Sequence, residues 1–122
     1  MFYNLDDYEE KLFQDLPHGS GINAEWHVKR TDKYYRCSNS FQVMDEHGFY
    51  VGWADFSLLI PIHKDPLDFK LMFHGPYSRR LANKYMLREY LEDTFAWWID
   101  DHRKQLESLS KYYNPKKEVK NG

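Results

Sequence analysis

The stretch FYVGWADFSLLIPI (residues 49–62) decides the fold. It is short, free of helical periodicity and rich in aromatic and branched residues, which marks a strand. Phe49, Val51 and Trp53 alternate on one parity, and Phe56, Leu58, Ile60 and Ile62 on the other. A parity switch inside one strand predicts a β-bulge near Ala54-Asp55. Pro61 has no N–H to give a ladder, so the strand should end frayed or at an edge. Immediately upstream, Asp45-Glu46-His47-Gly48 has the composition of a hairpin turn, with Gly48 free to take positive φ. The run YYRCSNSFQVMD (34–45) is then the antiparallel partner. In it Tyr35, Cys37, Phe41 and Val43 share a parity that Asn39 interrupts.

Working outward, AEWHVKR (24–30) reads as a first strand, joined to the second by the turn Thr31-Asp32-Lys33. After the two-proline loop PIHKDPLD (61–68), FKLMFH (69–74) reads as a fourth, with Phe69, Leu71 and Phe73 inward. Residues 4–16 predict a short helix: Asn4 as N-cap, Leu5, Tyr8, Leu12, Phe13 and Leu16 at helical spacing, and Pro17 as terminator. His18-Gly19-Ser20-Gly21 follows as a flexible corner. Gly75-Pro76 breaks the last strand, and Ser78 is placed as N-cap of a helix from about Arg79 to at least Trp98. Leu87, Leu91, Phe95 or Thr94, Trp98, His102, Leu106 and Leu109 continue one apolar stripe, which could carry the helix to about Leu109. The expected fold is α+β, in the order α-β-β-β-β-α. It is one domain over residues 1–112, an antiparallel meander packed against a long C-terminal helix. Residues 113–122, polar and holding Pro115, are expected to be a disordered basic tail.

At 122 residues and 42% hydrophobic content, the chain supports one core, and 18% aromatic content puts much of that core into rings. The formal charge of −2 gives no global pull toward nucleic acid or a membrane. Cys37 is the only cysteine, so an internal disulfide and a cysteine-based zinc site are excluded. The N-terminus carries acids where a signal peptide carries basic and then apolar residues. No apolar run approaches the ~20 residues a membrane span needs. The reading is a cytoplasmic protein without membrane contact.

Catalytic and metal signatures are weak. No two of the histidines stand at i, i+2 or i, i+4, and no cofactor or metal site is expected. A composite of His18, His74 and Asp55 stays open, because both histidines flank glycine corners. Glu25, Asp45 and Asp55 sit at strand ends, but the spacing of a metal-dependent nuclease is missing. The glycines at 19 and 21 lead into a strand rather than a helix, which argues against a phosphate loop. Ser20 lacks the strand–elbow–helix setting of a hydrolase nucleophile.

A stronger signal is the run Arg79, Arg80, Lys84 and Arg88, which holds no acid through Arg88. At a helix start these charges oppose the dipole, and Lys84 and Arg88 repel at i, i+4. Two readings are open: a solvated face paired with the acidic first helix, or a contact with phosphates or an acidic protein surface. Tyr77 and Tyr85 lie beside the run, and Trp26, Tyr34 and Trp53 offer further flat surface on the sheet. The element order with a basic helix start is also that of a double-stranded-RNA-binding domain, but that module's glycine, lysine and alanine pattern is absent.

Three stretches, LPHGSGINAEW (16–26), VMDEHGFYVGWADFSLLI (43–60) and DFKLMFHG (68–75), together resemble a loose family of small uncharacterised proteins carried by phages, plasmids and integrative elements. The shared features are a Leu-Pro-x-Gly-Ser-Gly-Ile corner and a Met-Asp-Glu-x-Gly-Phe-Tyr-x-Gly-Trp hairpin. The resemblance spans residues 16 to about 99 and implies a setting rather than a chemistry. In that setting the expectation is a non-enzymatic binding module, of an anti-defence or anti-CRISPR-like kind, acting on a host protein or ribonucleoprotein complex. An RNA- or DNA-binding accessory protein is the alternative, and a small metal-dependent nuclease or hydrolase the third.

Overall fold

A computed structural model describes residues 1–113; the tail expected over 113–122 lies outside them but for Tyr113. The elements are α1 (Asp7–Phe13), β1 (His27–Arg30), β2 (Tyr34–Met44), β3 (Tyr50–Pro61), β4 (Lys70–Phe73), α2 (Gly75–Lys84), α3 (Leu87–Asp101) and α4 (Arg103–Tyr112). The four strands form one antiparallel sheet in the order β1-β2-β3-β4. The meander is as expected, and the chain is an α+β domain. Its C-terminal cover, however, is three helices rather than one.

The helix breaks twice. Met86 takes a left-handed conformation (φ 54°) between α2 and α3. His102 ends α3 and begins α4. Its ring stacks on Trp98 at 4.3 Å, its Nδ1 meets Trp98 O at 2.8 Å, and its Nε2 meets Asp15 Oδ2 at 2.9 Å. A side chain that bonds its own preceding turn competes with helix continuation. The expected stripe still holds, since Leu87, Leu91, Phe95, Trp98, Leu106 and Leu109 are all buried.

Two boundaries shift for local reasons. The first helix is capped by Asp6, not Asn4, in a reciprocal box: Asp6 Oδ1 accepts from Glu9 N (2.8 Å) and Glu9 Oε1 from Asp6 N (3.0 Å). Tyr8, placed on the apolar stripe by spacing, is exposed, and Glu9 is buried. The helix α2 begins at Gly75 with Pro76 in its first turn, so Gly75-Pro76 opens a helix instead of preceding one. Ser78 lies inside α2, buried, and its Oγ accepts from Asp55 N at 2.9 Å.

The expected bulge at Ala54-Asp55 is absent. The ladder between β2 and β3 runs without interruption from Tyr34↔Pro61 to Val43↔Gly52, and the shift comes at Val51. Even positions of β3 face the core throughout: Ala54, Phe56, Leu58 and Ile60 are buried. Gly52 holds the same parity, and a Cβ there would collide with the Tyr77 ring, which supplies the missing side chain. Phe49 and Trp53 are both exposed.

The core lies between one face of the sheet and the helices. Phe56 and Phe95 pack with centroids 5.8 Å apart, and Trp26 meets both edge-on at 5.7 Å. The corner at 18–22 is fastened to the sheet: Gln42 N donates to Gly21 O (2.7 Å) and Asn23 N to Ser40 O (3.1 Å). The Phe41 ring sits where a Cβ on Gly21 would be. Asn39, the polar interruption in β2, turns inward and donates to Asn23 O at 2.8 Å.

A charged cluster closes one end of the core. The Glu9 carboxylate is fully buried. It accepts from Tyr35 Oη (2.5 Å) and Tyr113 Oη (3.2 Å), with Arg30 Nε 3.2 Å away as counter-ion. Arg30 Nε is close to Glu9 but off the line of a hydrogen bond. Its guanidinium lies over the Tyr113 ring at 3.8 Å and the Tyr3 ring at 5.0 Å.

Two predictions follow from this packing. Phe95→Ala should cost about 3–5 kcal/mol in a urea titration, since the whole ring is buried; a loss near zero would mean the ring is not in the core. Burial and the nearby carboxylates of Glu9 and Asp6 push the Tyr35 and Tyr113 phenols above the ordinary tyrosine range. Below about pH 10 both phenols are protonated, folded or unfolded. Above it the unfolded chain ionises them first, so stability falls as pH rises. A tyrosinate absorbance titration run beside urea melts should show late-ionising tyrosines, and Tyr35→Phe should flatten the alkaline slope. Tyrosines that all ionise near pH 10 with unchanged stability would contradict the cluster.

Candidate functional site

Helices α1 to α4 bury their apolar residues against one face of the sheet. The opposite face carries side chains of the other parity, and its centre is a hydrogen-bonded polar row. Ser57 Oγ meets His74 Nε2 at 2.6 Å and Ser38 Oγ at 3.0 Å, with Arg36 Nε at 3.4 Å. Beside it Ser40 Oγ donates to Asp55 Oδ1 at 2.6 Å. A serine in contact with a histidine invites a nucleophilic reading, but Ser57 is only 1% exposed and its hydroxyl is already surrounded by three partners. Its neighbours tie β2 and β3 to His74 at the junction of β4 and α2, a structural role. His74 N also donates to Asp55 O at 2.9 Å, so two members of the composite site are neighbours. His18 is exposed in the corner before β1. Among the described residues no group of three or more His, Cys, Asp or Glu is placed to hold a metal.

The hairpin end of the sheet is different in kind. Past the register shift at Val51 the strands outrun the core, and Met44 pairs with Tyr50 across the hairpin. Met44, Phe49, Tyr50, Trp53 and Tyr77 are all exposed there, Phe49 by 70% and Trp53 by 38%. The Tyr50 and Trp53 rings meet edge-to-face at 6.3 Å. Tyr77, from the first turn of α2, donates through its Oη to Val51 O (3.1 Å) and lies over Gly52. The turn itself is held by Asp45, whose Oδ1 accepts from His47 N (2.8 Å) and Phe49 N (2.9 Å). The aromatic platform is thus pinned from beneath and open above.

The basic run on α2 is divided by the structure. Ser78, Leu81 and Ala82 form the buried face of α2. Arg80 and Lys84 follow Tyr77 at i+3 and i+7, hence on its flank, while Arg79 lies across the helix. Arg79 and Arg80 are exposed and carry no ion pair among the described residues. Because α2 starts at Gly75, both arginines stand beyond the first turn, where opposition to the dipole has faded. Lys84 lies 5.5 Å over the Tyr85 ring, and Tyr85 packs against the core. Arg88 belongs to the framework: its Nη1 donates to Leu71 O (2.7 Å) and its guanidinium lies 5.3 Å over Phe73.

The sheet aromatics separate likewise. Trp26 is a core residue, half-buried, with its Nε1 donating to Pro17 O at 2.9 Å. Tyr34 lies on the open face at the end far from the hairpin, paired with Pro61. Of the three, only Trp53 lies at the hairpin end, on the open face of the sheet, with Tyr77 on the other side over Gly52. Met44, Phe49 and Tyr50 complete the surface, and sequence reasoning missed them as contacts. The available signal was that Phe49 and Tyr50 directly follow the turn glycine, where a two-residue offset places a ring outside the core.

Comparison with protein-family models, with curated proteins and with solved structures finds no match. The division of the basic run can be tested directly. Arg88→Ala should cost about 1–3 kcal/mol, because it strips a charged donor from the Leu71 carbonyl. Arg79→Ala with Arg80→Ala should change stability by no more than about 0.5 kcal/mol. Equal losses in the two variants, read from urea midpoints, would contradict the division.

Proposed function

We propose that this chain is a non-enzymatic binding module that docks on a partner protein through the hairpin end of its sheet. The observation that carries the reading is the exposed group Met44, Phe49, Tyr50, Trp53 and Tyr77, gathered at one end beside the exposed Arg80. Large apolar side chains that the fold leaves together in water mark interaction surfaces. Tyr, Trp, Phe, Met and Arg are also the residues enriched in protein interfaces. The rings cost little side-chain entropy to fix, and Tyr77 and Trp53 are already held by neighbours. Arg80 and Lys84 on the Tyr77 flank favour an acidic rim on the partner. The resemblance to mobile-element proteins supplies the setting, in which the partner is a host protein or ribonucleoprotein complex and binding obstructs it.

The test is capture from host lysate with and without nuclease. The wild-type chain should retain a protein partner that survives nuclease treatment. Trp53→Ala with Tyr50→Ala should weaken that partner's binding by about 2 kcal/mol or more if either ring is a hot spot. Arg80→Glu should weaken it further as a rim charge, with an effect that shrinks as salt rises. Affinity unchanged by the double aromatic variant would overturn the proposal. Capture that vanishes with nuclease would favour the nucleic-acid-binding alternative.

A further inference from the structure

We infer that the groove at the other end of the open sheet face binds a nucleoside monophosphate. The groove encloses about 520 Å³, within the range of small-ligand sites. Its floor is apolar and crosses two strands: the Tyr34 ring on β2 with Leu59 and Pro61 on β3. Its rim is basic, with Lys33 from the β1–β2 turn, His63 and Lys64 from the loop after β3, and Lys70 from β4. Asp68 is the single acid in the lining. The three lysines are exposed and hold no ion pair among the described residues.

The walls are tied together without a ligand. His63 Nε2 meets Asp32 O at 3.0 Å, and Ile62 N donates to Lys33 O at 2.9 Å, so the loop and the turn are held at a fixed separation. An apolar lining that includes a tyrosine suits a base, which stacks on aromatic rings irrespective of identity. Lysines on a rim suit a phosphate, as point charges that need no fixed fork geometry. Asp68 offers an acceptor for a sugar hydroxyl or an exocyclic amine. Lysine is depleted in protein interfaces, so this composition differs from that of the hairpin end. Another groove, about 590 Å³ between α1 and β1, has Glu10 and Glu25 in its lining and no lysine or arginine, and it would repel the same ligand.

Calorimetric titration of the full chain with adenosine monophosphate, adenosine and inorganic phosphate tests the inference. The monophosphate should bind at least about tenfold more tightly than either fragment, because floor and rim act together. Lys33→Ala with Lys70→Ala should weaken it about tenfold with the melting temperature unchanged, since both side chains are exposed. Tyr34→Ala should abolish the preference over inorganic phosphate. A 5′-phosphorylated dinucleotide forms a further arm: binding equal to the monophosphate identifies a strand end as the natural source, and binding only of the monophosphate identifies the free nucleotide. A monophosphate no tighter than phosphate, or one indifferent to the lysine pair, would overturn the assignment.

Discussion

The buried carboxylate of Glu9 is the point on which the arrangement of the chain depends. An isolated buried charge is costly, and it persists only where counter-ion and hydrogen bonds surround it. Here the partners come from far apart in sequence: the cap at Asp6, Arg30 at the end of β1, Tyr35 near the start of β2, and Tyr113 just past α4. Any alternative packing that moved one of these segments would strand the carboxylate. The cluster therefore acts less as added stability than as a register pin. It joins the N-terminal helix, the first hairpin and the end of the last helix at one point, and breaking it by removing one partner would leave an uncompensated buried charge.

With that end fixed and the aromatic core filling the middle, the remaining surfaces differ sharply. One sheet face is buried under helices. The other is braced by the row through Ser38, Ser57 and His74, which ties β2 and β3 to the junction of β4 and α2 through polar groups. Rigid bracing matters for a surface that works by presenting fixed side chains, because binding then orders little that was loose. The hairpin end and the lysine groove lie at opposite ends of β2 and β3, one aromatic with arginine, the other a tyrosine floor with lysine. They share the same two strands as a chassis.

The parts legible in the sequence were those governed by alternation and turn chemistry. The inward set Tyr35, Cys37 and Val43 on β2, the turn at Gly48 and the α3 stripe from Leu87 to Trp98 follow from local pattern, and the structure matches them. The misread elements are those where a distant residue decides. Gly52 holds an inward position as a glycine because Tyr77, from another element, fills the space. Without that knowledge the alternation of Phe49, Val51 and Trp53 reads as a switch of parity, and the bulge is misplaced. Glu9 sits on an apolar stripe because Arg30 and Tyr35 receive it. His102, at the helix break, is held by Asp15, two residues past α1. The same holds for the surface: Tyr77, Trp53 and the arginines were visible as residue types, but Trp26 and Arg88 look identical in sequence and prove to be framework.

The two borders of the sheet carry a further consequence. On β4, which is only four residues long, the outward carbonyl of Leu71 is occupied by Arg88. On β1, Tyr3 pairs with Arg30 through both backbone bonds, at 2.7 and 3.1 Å. A free strand edge is a template on which other chains add, in recognition or in fibre growth. Here a guanidinium takes one acceptor on one side, and Tyr3 pairs with the last residue of the strand on the other. The groups held in this way are withdrawn from pairing with the sheet of another copy. Loss of Arg88 would thus uncover a self-association hazard as well as a broken hydrogen bond.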